Sequence, residues 1–306
     1  MIPAILEQST LFRLIGIASR KKGRADECAL KFGTKPFYGY ESLLREKLLN
    51  AVYIPLPNSL HAMWIERALD CNLHVLVEKS LACSYKDVVR LCQKARRKKL
   101  ALVENFQFRF HPQLAMVRDI IKNKEIGALR CVRSSFGFPP FSDPTNIRYQ
   151  KKLGGGALLD AGAYTIKISQ ILLGTNLTVK AATLAYDKRK VDIWGGGYLQ
   201  QIKGGLFSEI AFGFDHFYQC SVELWGNKGK LYADRIFTAP PNYEPKIIIE
   251  TLKGKRVVRL PSDNHFCRML EHFHRAIHDQ KVSCTEHEHN IDQARLLHEF
   301  THKAHA

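Results

Sequence analysis

The chain has 306 residues, 45% of them hydrophobic and 25% charged, which is enough for two ordinary domains with cores of their own and argues against a disordered chain. No apolar run approaches the roughly 18 to 20 residues that span a bilayer as a helix, so no membrane partner is expected. The formal net charge is +17, but the basic residues are dispersed. Their densest cluster, Lys94 to Lys99, ends a predicted helix, where cations complement the helix dipole. No zinc-finger spacing or aromatic RNA-binding signature accompanies it, so no nucleic-acid partner is expected.

The predicted elements begin with a strand over 11–18, a basic turn from Ser19 to Gly23, and a helix over 24–32 ended by Gly33. A short strand at 35–38 and a helix at 40–49 follow. Residues 51 to 80 form the most informative unit. Val52 to Ile54 and Val75 to Val77 are short apolar runs of the kind buried parallel strands carry. Between them Asn58 or Ser59 is placed to cap a helix running to about Asp70. A strand–helix–strand crossover implies a doubly wound sheet, with ligands outside the carboxyl ends of its strands. Pro57, Asn58, His61, Glu78 and Lys79 all fall at those ends.

An amphipathic helix at 84–99 and a strand at 100–105 complete an alternating β/α pattern. After about residue 110 the texture changes. A helix at 112–122 and a strand at 129–138 precede a loop over 139–156 and a helix over 158–173. Successive strands then run from about 178 to 260 without intervening helices, two of them cleanly alternating, which indicates an antiparallel sheet. Two helices, about 264–279 and 287–303, close the chain. The fold class is α/β: an N-terminal Rossmann-like parallel sheet over residues 1–108, then an α+β unit over 109–306 with an open, mostly antiparallel sheet.

Two constellations carry chemistry. Lys79 follows a buried strand and a carboxylate, Glu78, and a lysine there can stabilise charge on a reacting oxygen. In Gly154-Gly155-Gly156-Ala157-Leu158-Leu159-Asp160-Ala161-Gly162-Ala163-Tyr164, three glycines open close backbone approach before a helix. Asp160 and Tyr164 share one face of that helix. A tyrosine beside a lysine is a sensible proton donor, its phenol made more acidic by the ammonium. Eight cysteines with no C-x-x-C pair read as reduced thiols of a cytoplasmic protein. His265, His272, His274 and His278 crowd one helix. No third ligand of suitable spacing joins His274 and His278, so no metal site is expected.

The AVYI-P-PN-LH segment, the Glu-Lys after the next strand, FQFRFHPQ at 106–113 and GGGALLDAGAY recur in the order and separations of the Gfo/Idh/MocA oxidoreductases, which this chain resembles over nearly its whole length. The resemblance implies an NADP-dependent (or NAD-dependent) enzyme that moves a hydride between nicotinamide and a carbonyl or carbinol carbon of a sugar or nucleotide-sugar substrate. It implies Lys79 as the motif lysine, Tyr164 as proton donor and Asp160 as their support, with Pro57, Asn58 and His61 along the nicotinamide ribose. Arg148 and Arg109 are implied near substrate or cofactor anions, and the open sheet in a homodimer or homotetramer. Tyr164, where inositol dehydrogenase-like members have His, points to the keto-sugar reductase, aldose dehydrogenase and dihydrodiol dehydrogenase branch. Ser19 and Arg20 stand where NAD-preferring members place a carboxylate, which favours NADP.

Two departures stand out. The family begins with a strand and a G-x-G-x-x-G loop, whereas Met1 to Ala4 resembles the helix after that loop. Two neighbouring strand edges are therefore expected to lack a partner, and the alternative is a non-catalytic descendant that serves as a binding or oligomerisation module. Ser80 replaces the usual proline, which is expected to loosen the turn that aims Lys79.

Overall fold

The computed structural model describes residues 1–305. Helix α1 (Ile2–Glu7) leads into β1 (Gly16–Ser19), α2 (Lys22–Phe32), β2 (Lys35–Tyr38), α3 (Tyr40–Leu44), β3 (Ala51–Ile54), α4 (Asn58–Asp70), β4 (His74–Val77), α5 (Tyr85–Lys98) and β5 (Leu102–Glu104). The strand expected over 11–18 is confined to its last residues and Ser19. Strands β3, β4 and β5 form one parallel sheet in that order, and β1 and β2 form a separate parallel pair. The facing edges of β1 and β3 are thus unpaired, as expected, and a cleft of about 740 Å³ lies between them.

The second half runs through α6 (Pro112–Lys122), β6 (Leu129–Gly137), α7 (Ala163–Leu173), β7 (Leu177–Tyr186), β8 (Asp192–Gln201), β9 (Phe207–Gly213), β10 (Gln219–Gly226), β11 (Gly229–Asp234), β12 (Lys246–Thr251) and β13 (Gly254–Arg259). The chain then ends in α8 (His265–His278) and α9 (Gln280–Ala304). The eight strands β6 to β13 make one sheet in the order β13-β12-β11-β10-β6-β9-β8-β7. Its pairs are antiparallel except β6 with β9, which run parallel. Alternation sets its faces: Val222 and Leu224 of β10, Leu231 and Ala233 of β11, and Ile210 and Phe212 of β9 are buried against Ile166, Ile168 and Phe300. The other face carries Trp194, Trp225 and Tyr232 with large exposed areas.

The two C-terminal helices return to the parallel sheet. Met269, Leu270 and Phe273 of α8 pack with Leu76, Ala101 and Val103. Side chains of α9 satisfy the open edge of β5: Ser283 Oγ donates to the Leu100 carbonyl (3.3 Å), His287 Nε2 lies 3.2 Å from it, and Asn290 Nδ2 donates to the Leu102 carbonyl (2.9 Å). A helix thereby occupies the strand edge that would otherwise attract another chain. Three residues of the basic cluster also have partners: Lys94 pairs with Asp70, Arg96 with Glu288, and Lys98 donates to Asn72.

Candidate active site

Lys79 leaves the carboxyl end of β4 and crosses to the second half of the chain. Its Nζ donates to the Asp160 carbonyl (3.1 Å) and forms an ion pair with the Asp160 carboxylate. It also stands 5.0 Å from the centre of the Tyr164 ring. The three groups singled out from the sequence therefore lie together, over a separation of 81 residues between Lys79 and Asp160. Asp160 is not on a regular α-helix. Residues Leu158–Gly162 form a π-turn and α7 begins at Ala163, an irregularity frequent at functional sites.

Several backbone contacts hold this corner. The Lys79–Ser80 peptide bond is cis. Ser80 Oγ donates to the Leu159 carbonyl (3.0 Å), the Ser80 carbonyl receives His61 Nδ1 (2.8 Å), and the Leu81 N–H donates to Glu104 Oε1 (2.8 Å). The serine thus ties the turn to the Asp160 segment, a contact that opposes the loosening expected at this position. The triglycine serves close packing. Gly156 has φ +128, and a Cβ there would run into the Asp192 carboxylate. That carboxylate accepts the Leu158 N–H at 2.6 Å. Asp192, from β8, thus takes up an N–H that the sequence left exposed at the helix start. Nothing in the local sequence marked it, because the contact spans 34 residues.

Electrostatics separate the roles. Burial pushes the Asp160 carboxyl upward, but Lys79 and Arg148 outweigh it and hold the pKa below its ordinary value. Arg148 Nε bonds Asp160 at 2.6 Å, so it buttresses this carboxylate. Tyr164 is 6% exposed, walled by Phe106, Phe108, Phe136 and Phe237 at 5.2 to 5.6 Å between ring centres. Burial first, then the charges of Glu78 and Asp160, raise its phenol pKa above the ordinary value. The net acidification expected beside Lys79 is not found, because burial and these two carboxylates set the direction of the shift.

The other expected residues divide. Glu78 accepts from the Tyr53 hydroxyl and from Asn105 Nδ2 (2.7 Å). Asn58 does not cap α4. Its amide donates to the Gly154 carbonyl (2.9 Å), and Pro57 holds the N-cap position. His61 is fully buried, its ring nitrogens 2.8 and 2.7 Å from the Ser80 and Leu56 carbonyls, so it shapes the two turns from behind. Arg109 forms a two-pronged pair with Glu286 at 2.6 and 2.8 Å. Tyr53, Asn105 and Gln107 were not singled out by sequence. Tyr53 was legible only as a strand residue, and Gln107 is a buried polar residue of the turn after β5.

Ser19, Arg20, Lys21, Arg24 and Pro57 line the cleft between β1 and β3, together with Arg13 and Tyr53, and no carboxylate lines it. Tyr53 connects this cleft to Glu78, beside Lys79. A wall with four cations and no acid suits a phosphate-bearing dinucleotide. No group of three or more His, Cys, Asp or Glu side chains among the described residues is placed to hold a metal.

A parallel β/α unit with this corner, followed by an open mixed sheet, defines an oxidoreductase architecture, and sequence comparison agrees. The Oxidoreductase family, NAD-binding Rossmann fold, matches residues 1–106 and the GFO/IDH/MocA C-terminal domain matches residues 114–232. A dTDP-3,4-didehydro-2,6-dideoxy-alpha-D-glucose 3-reductase of Actinomadura kijaniata is 38% identical over 90% of this chain and 82% of the relative. A D-xylose 1-dehydrogenase (NADP(+)) of Haloferax volcanii is 31% identical over 97% of this chain and 90% of its own. The solved 3-ketoreductase from Actinomadura kijaniata in complex with NADP and TDP-benzene superposes with a TM-score of 0.94 at 36% identity, covering 99% of this chain and 92% of that one. Other solved forms of it carry a tyrosine changed to phenylalanine or a lysine changed to alanine. This chain belongs to the GFO/IDH/MocA family of oxidoreductases.

Proposed function

We propose that this protein reduces a keto group on the sugar ring of a nucleotide-linked hexose with NADPH, with Tyr164 as the proton donor. The observation that carries the reading is the buried Tyr164 phenol beside the Lys79–Asp160 pair. The dihydronicotinamide supplies the hydride. Tyr164, kept protonated by its surroundings, gives its proton to the oxygen that becomes the hydroxyl. Lys79, fixed over the ring by Asp160, stabilises the phenolate left behind, and Arg148 holds Asp160 ionised. Ser19, Arg20, Lys21 and Arg24 bind the cofactor phosphates, with Pro57, Asn58 and Glu78 at the ribose side.

The nucleotide-linked substrate is supported by relatives 34 to 38% identical that are dTDP-sugar 3-reductases. The division of labour is a cofactor unit over residues 1–108 and a substrate unit over 109–306. The outer face of the eight-stranded sheet, with Trp194, Trp225 and Tyr232 exposed, is the surface for a homodimer or homotetramer. Eight free thiols suit the reducing cytoplasm.

The test follows NADPH absorbance with a dTDP-linked 3-keto-deoxyhexose generated in situ, and NADP reduction with free D-xylose. Turnover of the nucleotide sugar alone is the expected result. Turnover of xylose alone would replace the substrate assignment by an aldose, and activity with neither would overturn the reading.

A further inference from the structure

We propose that Glu104 is a positioning residue for Lys79, holding the Lys79–Leu81 turn against the tyrosine-bearing helix by accepting the Leu81 N–H. The proposal rests on Lys79 and Tyr164 as the working pair. Glu104 ends β5, is 2% exposed, and places Oε1 2.8 Å from the Leu81 nitrogen, while its buried Oε2 has no hydrogen-bond partner. A buried carboxylate is costly unless charge answers it; Lys167 and Arg109 bear on this one, but burial outweighs them and raises its pKa.

Lys167 lies on α7, one turn beyond Tyr164, and is 4% exposed. Its ammonium stands 5.2 Å from the Phe106 ring, which in turn meets Tyr164 edge-on at 5.4 Å. Arg109 answers Glu286 directly. Glu104, bonded to the turn after β4, and Lys167, on the helix of Tyr164, thus bear on the same two elements that the Lys79–Asp160 pair connects. That pair fixes the ammonium; the Glu104 contact fixes the backbone from which Lys79 extends. Without it Lys79 keeps its length and charge and loses its origin, which lets the ammonium leave Asp160.

The test is pulse acylation of amines on the full chain, with modification at Lys79 read by mass spectrometry beside the melting temperature. Glu104→Ala raises Lys79 labelling at least five-fold. Glu104→Gln, which keeps an acceptor for the Leu81 N–H, stays within two-fold of the parent. Glu104→Asp, one methylene too short, behaves like alanine and decides the matter if Glu104→Ala does not fold. Leu224→Ala in the sheet core supplies a destabilised control whose Lys79 labelling stays at the parent level. Parent-level labelling in both Glu104→Ala and Glu104→Asp, or an equal rise in Leu224→Ala, overturns the proposal. Because labelling needs no substrate, failure of the enzymatic assay leaves this result readable.

Discussion

The Lys79 ammonium stands 5.0 Å from the centre of the Tyr164 ring, and the Asp160 carboxylate holds it there. The consequence is a tyrosine that rests protonated. Its neighbours are four phenylalanine rings and two carboxylates, and the Lys79 ammonium is already paired. A protonated phenol is the state a carbonyl reduction consumes.

Tyr164→Phe removes the proton and keeps the ring among its aromatic neighbours. We expect kcat to fall by roughly 10² to 10⁴, the usual weight of general acid catalysis, with the melting temperature close to that of the parent. Steady-state kinetics beside thermal denaturation checks both. A kcat within three-fold of the parent would remove Tyr164 from the mechanism.

Asp160→Asn leaves Lys79 and Arg148 facing each other without the charge between them. Both the Lys79 and Asp160 side chains are largely buried, so the loss is that of a broken buried pair, about 3 kcal/mol. Urea denaturation measures it. A loss under about 1 kcal/mol would show that the pair behaves as a surface contact.

Arg20→Glu places an acid in a cleft wall that carries cations and no carboxylate. NADPH affinity is expected to fall about ten-fold or more, equivalent to roughly 1.4 kcal/mol, with NADH affinity little changed. Fluorescence titration with the two dinucleotides gives the ratio, and equal losses for both would place Arg20 away from the 2′-phosphate.

Stability should decline as pH falls from about 6.5 toward 4. Burial lowers the pKa of His265 and His287 to about 4 each, neighbouring cationic or titratable groups (His111 and Arg96, respectively) acting in the same direction. The unfolded chain, with a histidine pKa near ~6.5, then binds more protons than the folded one across this window, so stability is full above it and is lost on acidification. Each group removes on the order of 2 kcal/mol by about pH 5. Asp160 and Glu286, with lowered pKa values, keep their contributions until the pH falls below the ordinary carboxylate range near ~4. Urea midpoints at several pH values check the slope, and His287→Gln should flatten it.

Backbone amides of β1 and β3 that face the cleft should exchange hydrogen faster than those of β4, which is paired on both sides. Exchange followed by mass spectrometry reads the difference. Equal protection in β1, β3 and β4 would contradict the unpaired edges.

Local rules reached far here because periodicity and turn chemistry act over a few residues. The 51 to 80 crossover, the alternating strands and the terminal helices are each visible within one window, and so were the candidates Lys79, Asp160 and Tyr164. What those groups meet was decided by contacts between distant segments. Arg109 went to Glu286, 177 residues away, and Asn58 to the Gly154 carbonyl, 96 residues away. Asp192 and Glu104 entered the site only when the two sheets came together. The state of Tyr164 followed the same logic: burial and the charges of Glu78 and Asp160 reversed the shift that adjacency of a lysine and a tyrosine had suggested. Sequence specifies which groups a segment presents; desolvation and pairing, which depend on every segment around them, decide what those groups do.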